Sequence, residues 1–279
     1  MTHYPQSSVL SPQSSVLSPQ SCILFAMNTS RKIALVTGAS SGIGLEISRE
    51  LSREGYELIL VARSEEKLRA IAKELGNAKV IVSDLALPDA PRKVFDAAGP
   101  VNVLVNNAGF GISGPFAGTD LGKQLEVIQV NVSALTALTK LFLAPMLERN
   151  SGHIVNVAST AAFLPGPLMA VYYATKAYVL SFSEAIADEL RNTGVKVTAL
   201  CPGPTSTGFA DVAGMTSSRL FSLVKPMSSR RVARYGVRAM HRGTRVAIPG
   251  VANKLGTQSL RITPRRLVTA LVRKLQENR

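Results

Sequence analysis

The sequence predicts an α/β fold: a Rossmann-like, doubly wound parallel sheet of about seven strands, with helices on both faces and a helical C-terminal extension. Three observations carry this. Short aliphatic runs alternate with helical patterns from about residue 32 to 250, the signature of βαβ units. The first run enters a glycine-rich turn that opens a helix. The chemically distinctive residues fall just past the carboxyl ends of the runs, where parallel sheets bind ligands.

Composition sets the bounds. The chain has 279 residues, 46% hydrophobic and 18% charged, as expected of an ordinary globular protein. No uninterrupted apolar run approaches the roughly 20 residues of a transmembrane helix. Cys22 and Cys201 give neither a disulfide framework nor metal-ligand spacing, so no metal is expected. Cys201 follows the apolar run from Val197 and reads as a buried thiol in a reducing, cytoplasmic compartment. Residues 1–26 repeat Pro-Gln-Ser-Ser-Val-Leu-Ser, with a proline in each copy that forbids a continuous helix; a disordered low-complexity tail is expected. Met27, just before the folded body, offers an alternative start. The catalytic domain is expected over 27–250.

The first strand, Lys32 to Thr37, runs into Gly38-Ala39-Ser40-Ser41-Gly42-Ile43-Gly44 and a helix through Glu54. A helix N-terminus with free N–H groups suits a pyrophosphate. Gly38 permits the tight turn, Gly42 the approach of phosphate, and Gly44 the packing of helix on strand. The second strand, Glu57 to Arg63, ends where a ribose would be read. A carboxylate there would favour NAD; the chain has Ala62, Arg63 and Ser64 instead, which favours NADP(H) over NAD(H) because a guanidinium suits a 2′-phosphate. The competing reading of Arg63 is a solvated charge at a helix start.

A helix over 65–75, a strand over 79–83 ending in Asp84-Leu85, and a helix near 90–98 follow. The strand Val101 to Val105 leads into Asn106-Asn107-Ala108-Gly109. One long helix from about Thr119 to Arg149 contains Asn131. Then come a strand over 153–158, a helix over about 170–192 and a strand over 195–200. Ser159 ends the fifth strand. Tyr172 and Lys176, four residues apart, share one helix face. A neighbouring ammonium would bring the phenol from its usual pKa near 10 toward the range of a general acid. Ser159 and Tyr172 together supply what carbonyl reduction requires.

These elements resemble the classical short-chain dehydrogenase/reductase family: T-G-A-S-S-G-I-G at 37–44, Asp84-Leu85, N-N-A-G at 106–109, Asn131, Ser159, Tyr172-x-x-x-Lys176 and Pro202-Gly203 stand in the family's order and spacing. The chain is similar to bacterial reductases of that group. The resemblance implies catalytic roles for Asn131, Ser159, Tyr172 and Lys176. Tyr172 would be the acid, Lys176 would lower its pKa and hold the cofactor's ribose, Ser159 would orient the carbonyl, and Asn131 would hold a relay water. It further implies cofactor contacts from Gly38, Ser40, Ser41, Gly42, Ile43, Gly44, Arg63, Asp84, Leu85, Asn106, Ala108, Gly109, Tyr172, Lys176, Pro202, Gly203, Thr205 and Thr207. Asp84 has an alternative as a turn cap. Thr37 and Asn107 read as ties between strand ends, and His153 as structural.

Residues about 205–227 mix apolar side chains with Ser and Gly, as a lid over an apolar substrate would; a surface helix pair is the alternative. The net charge of +14 concentrates in the last quarter, where Glu277 is the sole acid from Arg219 onward. Residues 251–279 are expected to form a basic, amphipathic helical extension. It would pack on the substrate side of the enzyme, receive an acidic carrier or coenzyme A, or touch an anionic membrane as a peripheral protein; nucleic acid is not expected. The reading that follows is an NADPH-dependent reductase of ketones or aldehydes, with 3-oxoacyl or lipid-like substrates suggested. An oxidative alcohol dehydrogenase and a catalytically silent NADP sensor are the alternatives. A homodimer or homotetramer is implied by the resemblance.

Overall fold

The computed structural model describes residues 32–76, 78–209, 213–214, 226–260 and 262–277. The expected tail over 1–26 and most of the expected lid lie outside the described residues. Seven parallel strands form one sheet in the order β3-β2-β1-β4-β5-β6-β9. They are β1 (Ile33–Thr37), β2 (Glu57–Ala62), β3 (Ala78–Val82), β4 (Val103–Asn106), β5 (Gly152–Val157), β6 (Val195–Leu200) and β9 (Val246–Ala247). The chain runs outward from β1 to β3, then returns to pair β4 with β1, Leu35 opposite Leu104. This reversal opens a crevice at the carboxyl ends of β1 and β4.

The strands are apolar almost throughout because both faces are covered. Ala34 and Val36 of β1 face one core together with Leu58, Leu60, Val103 and Val105. Helices α1 (Gly42–Arg53), α2 (Glu65–Leu75) and α7 (Ser229–His241) cover that side, through Ile47, Leu51, Leu68, Val232 and Val237. Leu35, between Ala34 and Val36, faces the opposite core with Ile59, Leu104 and Ile154. There α3 (Ala90–Ala98), α5 (Leu135–Glu148) and α6 (Ala170–Glu189) supply Val94, Leu138, Phe142, Met146 and Ala187.

The long helix expected over 119–149 is continuous but not uniform. It is α4 (Leu121–Ile128), a π-helical turn (Gln129–Ala134) and α5. Its length and composition alone would permit a membrane span, but Leu135, Leu138, Phe142 and Met146 are buried against the sheet. The edge strand β9 pairs with β6, Val246 opposite Ala199 and Ala247 opposite Leu200. Beyond β6, β7 (Thr205–Ser206) pairs with β8 (Met227–Ser228), bringing the start of α7 to the crevice. The extension forms α8 (Val251–Ser259) and α9 (Arg265–Gln276), split ahead of Pro264.

Candidate active site

Each strand end contributes in turn. Gly38, Ser40, Ser41, Gly42, Ile43 and Gly44 lie in the β1–α1 turn and the first turn of α1. Gly42 has φ of +57°, and a Cβ there would stand 3.1 Å from Thr207 Cγ2. The backbone can therefore run close beneath the segment that follows β6. Ser41, the N-cap of α1, is exposed and its hydroxyl makes no capping bond. An uncapped helix start with a close-packed glycine turn fits the pyrophosphate of a dinucleotide. As expected, Thr37 and Asn107 tie the strand ends: Thr37 Oγ1 accepts from Asn107 N and Ala108 N at 3.0 Å each, and Asn107 Nδ2 donates to Thr37 O at 2.9 Å.

Arg63, past β2, is exposed, and its Nη1 stands 4.0 Å from Glu126 Oε1 of α4. Asp84 Oδ1 accepts from Ala86 N at 3.0 Å, so one carboxylate oxygen caps its own turn. Leu85 is buried in the core beside Ala90 and Val94, which leaves only its main chain for a cofactor. The Asn106 side chain is likewise turned inward. Its Nδ2 donates to Thr139 Oγ1 at 3.0 Å and Asn156 Oδ1 at 2.9 Å, inside the protein, so its side chain is not aimed along a nucleoside. Its Oδ1 is buried with no protein partner among the described residues.

Lys176 and Asn131 meet at Gly109. A Cβ on Gly109 would stand 2.9 Å from Asn131 Oδ1 and 3.4 Å from Lys176 Nζ, so only glycine leaves room at this junction. Asn131 projects from the π-helical turn, and such turns recur at functional sites. Its Oδ1 accepts from Phe110 N at 3.1 Å; its Nδ2 donates to Phe110 O at 2.9 Å and Thr175 Oγ1 at 3.0 Å. The amide is thus a clamp that ties the strand end at Phe110 to Thr175 of α6. Lys176 Nζ donates to Val157 O at 2.8 Å. Burial pulls its pKa down to about 8.

Ser159 Oγ accepts from Ala161 N at 3.1 Å and donates to Pro202 O at 3.4 Å, joining the ends of β5 and β6. Burial pushes the Tyr172 phenol above its ordinary range, with a hydrogen bond to Ser159 pulling the other way. Lys176 adds no depression: its Nζ lies 5.8 Å from the Tyr172 ring centre and is held by the Val157 carbonyl. Burial therefore sets the direction of the shift, opposite to the lowering expected from a lysine four residues on. Past β6, Gly203 packs against Asn253 of α8, Thr205 Oγ1 donates to Gly203 O at 2.8 Å, and Thr207 Oγ1 accepts from Phe209 N at 3.1 Å. Pro202 O also accepts from Thr160 N at 2.9 Å.

The mouth beside Tyr172 is apolar: Met169, Tyr173, Phe209, Ala213 and Leu260 cluster there with Val268 and Val272 of α9. Ala213, a described fragment of the expected lid, accepts at its carbonyl from Ser113 N at 3.0 Å, across the mouth. Sequence reasoning passed over Phe110, Thr175 and Gln276. Thr175 lies one residue before Lys176 and donates to Tyr172 O at 2.7 Å; Gln276 Nε2 donates to Tyr173 Oη at 2.6 Å. No spacing signals a backbone clamp or a contact 103 residues away.

Residues 32–218 match the short chain dehydrogenase family. The chain belongs to it. An oxidoreductase of Staphylococcus epidermidis is 35% identical over 207 residues, 72% of this dehydrogenase and 87% of the relative. Ketoacyl reductase HetN of Nostoc is 35% identical over 206 residues, 71% of this chain and 72% of the relative. Among solved structures, a Sphingobium yanoikuyae short-chain dehydrogenase in complex with NADPH superposes with a TM-score of 0.74 at 30% identity, covering 84% of this chain and 97% of that one. A Burkholderia phymatum relative in complex with NAD has a TM-score of 0.74 at 27% identity, covering 82% and 92%. This dehydrogenase is thus an oxidoreductase with a site for a nicotinamide dinucleotide.

Proposed function

We propose that this short-chain dehydrogenase is an NADPH-dependent carbonyl reductase in which Tyr172 protonates the oxygen of a ketone or aldehyde. The observation that carries the reading is the convergence of Ser159 at the end of β5 with Tyr172 and Lys176 on the facing helix, beside an apolar cluster. Bound reduced dinucleotide supplies the hydride. Ser159 holds the carbonyl oxygen, and its own link to Pro202 O fixes it between β5 and β6. Tyr172 stays protonated at neutral pH because its pKa is raised, so it is ready to donate. Lys176, near neutrality in its own titration, replaces the proton and offers donors to the ribose.

The cofactor preference rests on Arg63 and on the lack of a carboxylate at Ala62. Arg63 is exposed at the adenosine end, and among the described residues only Glu126, 4.0 Å away, competes for it. The substrate class rests on the apolar mouth and on the ketoacyl name of the Nostoc relative; we favour 3-oxoacyl or similar lipid-like carbonyls. Subunit pairing is supported by exposed apolar residues on α4 and α6, among them Leu121, Leu125, Ile128 and Tyr178.

The experiment is a panel: a free 3-oxoacyl chain, its coenzyme A thioester, its carrier-protein thioester and simple ketones, each with NADPH or NADH, followed by loss of reduced-nicotinamide absorbance. Turnover of 3-oxoacyl substrates with NADPH preferred is expected. No turnover with any carbonyl would favour a dinucleotide sensor instead.

A further inference from the structure

The C-terminal extension was expected to bury its apolar stripe, and it buries half of it. Val268, Val272 and Gln276 of α9 pack on Met169 and Tyr173 beside the active-site mouth. The rest of its apolar surface remains outside. Leu267 and Leu271 are one helical turn apart, and both are more than half exposed. Val251 and Leu255 repeat that spacing on α8, and Ile262 stands between the two helices; all three are also more than half exposed. Exposed apolar side chains scattered singly are normal, but five within one short segment are not.

Charge accompanies this surface. Lys254, Arg265, Arg266, Arg273 and Lys274 are all exposed. From Val251 to Gln276 the sequence contains no acidic residue. On α9 the 100° step places Leu267 and Leu271 along one outward edge and Arg266 and Arg273 along the other. Arg265 also lines a groove of about 540 Å³ whose walls include Phe163, Leu164, Pro165, Tyr173 and Ala177. A cation beside an apolar slot suits an anionic head carrying an acyl tail.

We propose that α8 and α9 form a docking surface for an anionic lipid bilayer, with the exposed aliphatic residues entering the interface and the basic residues on the headgroups. A second copy of the chain is the less suited occupant: Arg273 is paired with Glu277 at 3.3 Å, but Lys254, Arg265, Arg266 and Lys274, which have no ion pair among the described residues, would be set against like charges of the other chain. The bilayer supplies the missing negative charge and the apolar medium together. Docking here would bring the active-site mouth, whose rim α9 forms, to the source of lipid-like molecules. The binding claim itself does not depend on the reductase reading.

The test is co-sedimentation of the full chain with phosphatidylglycerol/phosphatidylcholine vesicles and with phosphatidylcholine alone. Binding to the anionic vesicles, weakened by salt, is expected for the unaltered chain, a readout that needs no variant. Replacing Leu255, Leu267 and Leu271 by Ser should lower the partition at least about tenfold. Arg266→Gln, Arg273→Gln and Lys274→Gln should lower it about fivefold each. Native mass and melting should not change, because these side chains face outward. Failure to bind anionic vesicles, equal binding to neutral ones, or full binding by the triple serine variant would each overturn the proposal. So would a fall in native mass in that variant, which would assign the surface to a second copy.

Discussion

Replacing Lys176 with Met separates the cost of holding a buried ammonium from its use. Lys176 is 5% exposed, and its Nζ donates to Val157 O at 2.8 Å. Its pKa falls from an ordinary 10.5 to about 8, so near neutral pH the buried ammonium costs roughly 3 kcal/mol relative to the same ammonium in the unfolded chain. Methionine fills a similar volume without charge and gives up a hydrogen bond worth about 1 kcal/mol. Lys176→Met should therefore be about 2 kcal/mol more stable near pH 7, while carbonyl turnover falls by at least about a hundredfold. The pH dependence carries the diagnosis. Between about 8 and 10.5 the unfolded chain keeps the Lys176 proton and the folded chain has lost it, so wild-type stability rises with pH across that window. The variant lacks this gain, and its advantage should shrink and reverse by the upper end. Urea unfolding of both proteins across the window measures the difference, in which all other lysines cancel. A variant less stable than wild type near neutrality, by an amount independent of pH, would refute the reasoning.

Arg63→Ala should weaken NADPH binding by about 1.5–3 kcal/mol and leave NADH nearly unchanged, as read by fluorescence titration of both cofactors. Gly109→Ala places a methyl 2.9 Å from Asn131 Oδ1, so it should cost about 1–3 kcal/mol in thermal or urea unfolding and reduce cofactor affinity as well. A chain beginning at Met27 should match the full chain in melting and turnover, since the repeated segment before it has no pattern capable of forming a core.

The sheet was legible because each strand is a short aliphatic run, and both faces of every such run had to be covered. The glycine turn was legible because α1 cannot begin at Gly42 with a bulkier residue beneath Thr207. Ser159, Tyr172 and Lys176 were legible as types and spacings, and the fold brings them to one crevice. What escaped the sequence is direction. Asn106 and Leu85 sit at the right strand ends, but their side chains turn inward, toward Asn156 and the α3 core. The π-helical turn at Asn131 has no propensity signal, because it accompanies a tertiary clamp on Phe110. The direction of the Tyr172 pKa was not legible, because charge proximity is visible in a spacing of four, whereas desolvation depends on everything packed around the phenol.

The most direct test of the central claim is the turnover of Tyr172→Phe beside wild type, with NADPH binding measured on both. The change removes one hydroxyl from the Ser159–Tyr172 pair and leaves the ring in its contacts with Tyr173 and Phe209. Turnover of a carbonyl substrate should fall by about 10²–10⁴ while NADPH affinity stays within a few-fold. A Phe variant that reduces carbonyls at the wild-type rate would contradict the assignment of Tyr172 as the acid.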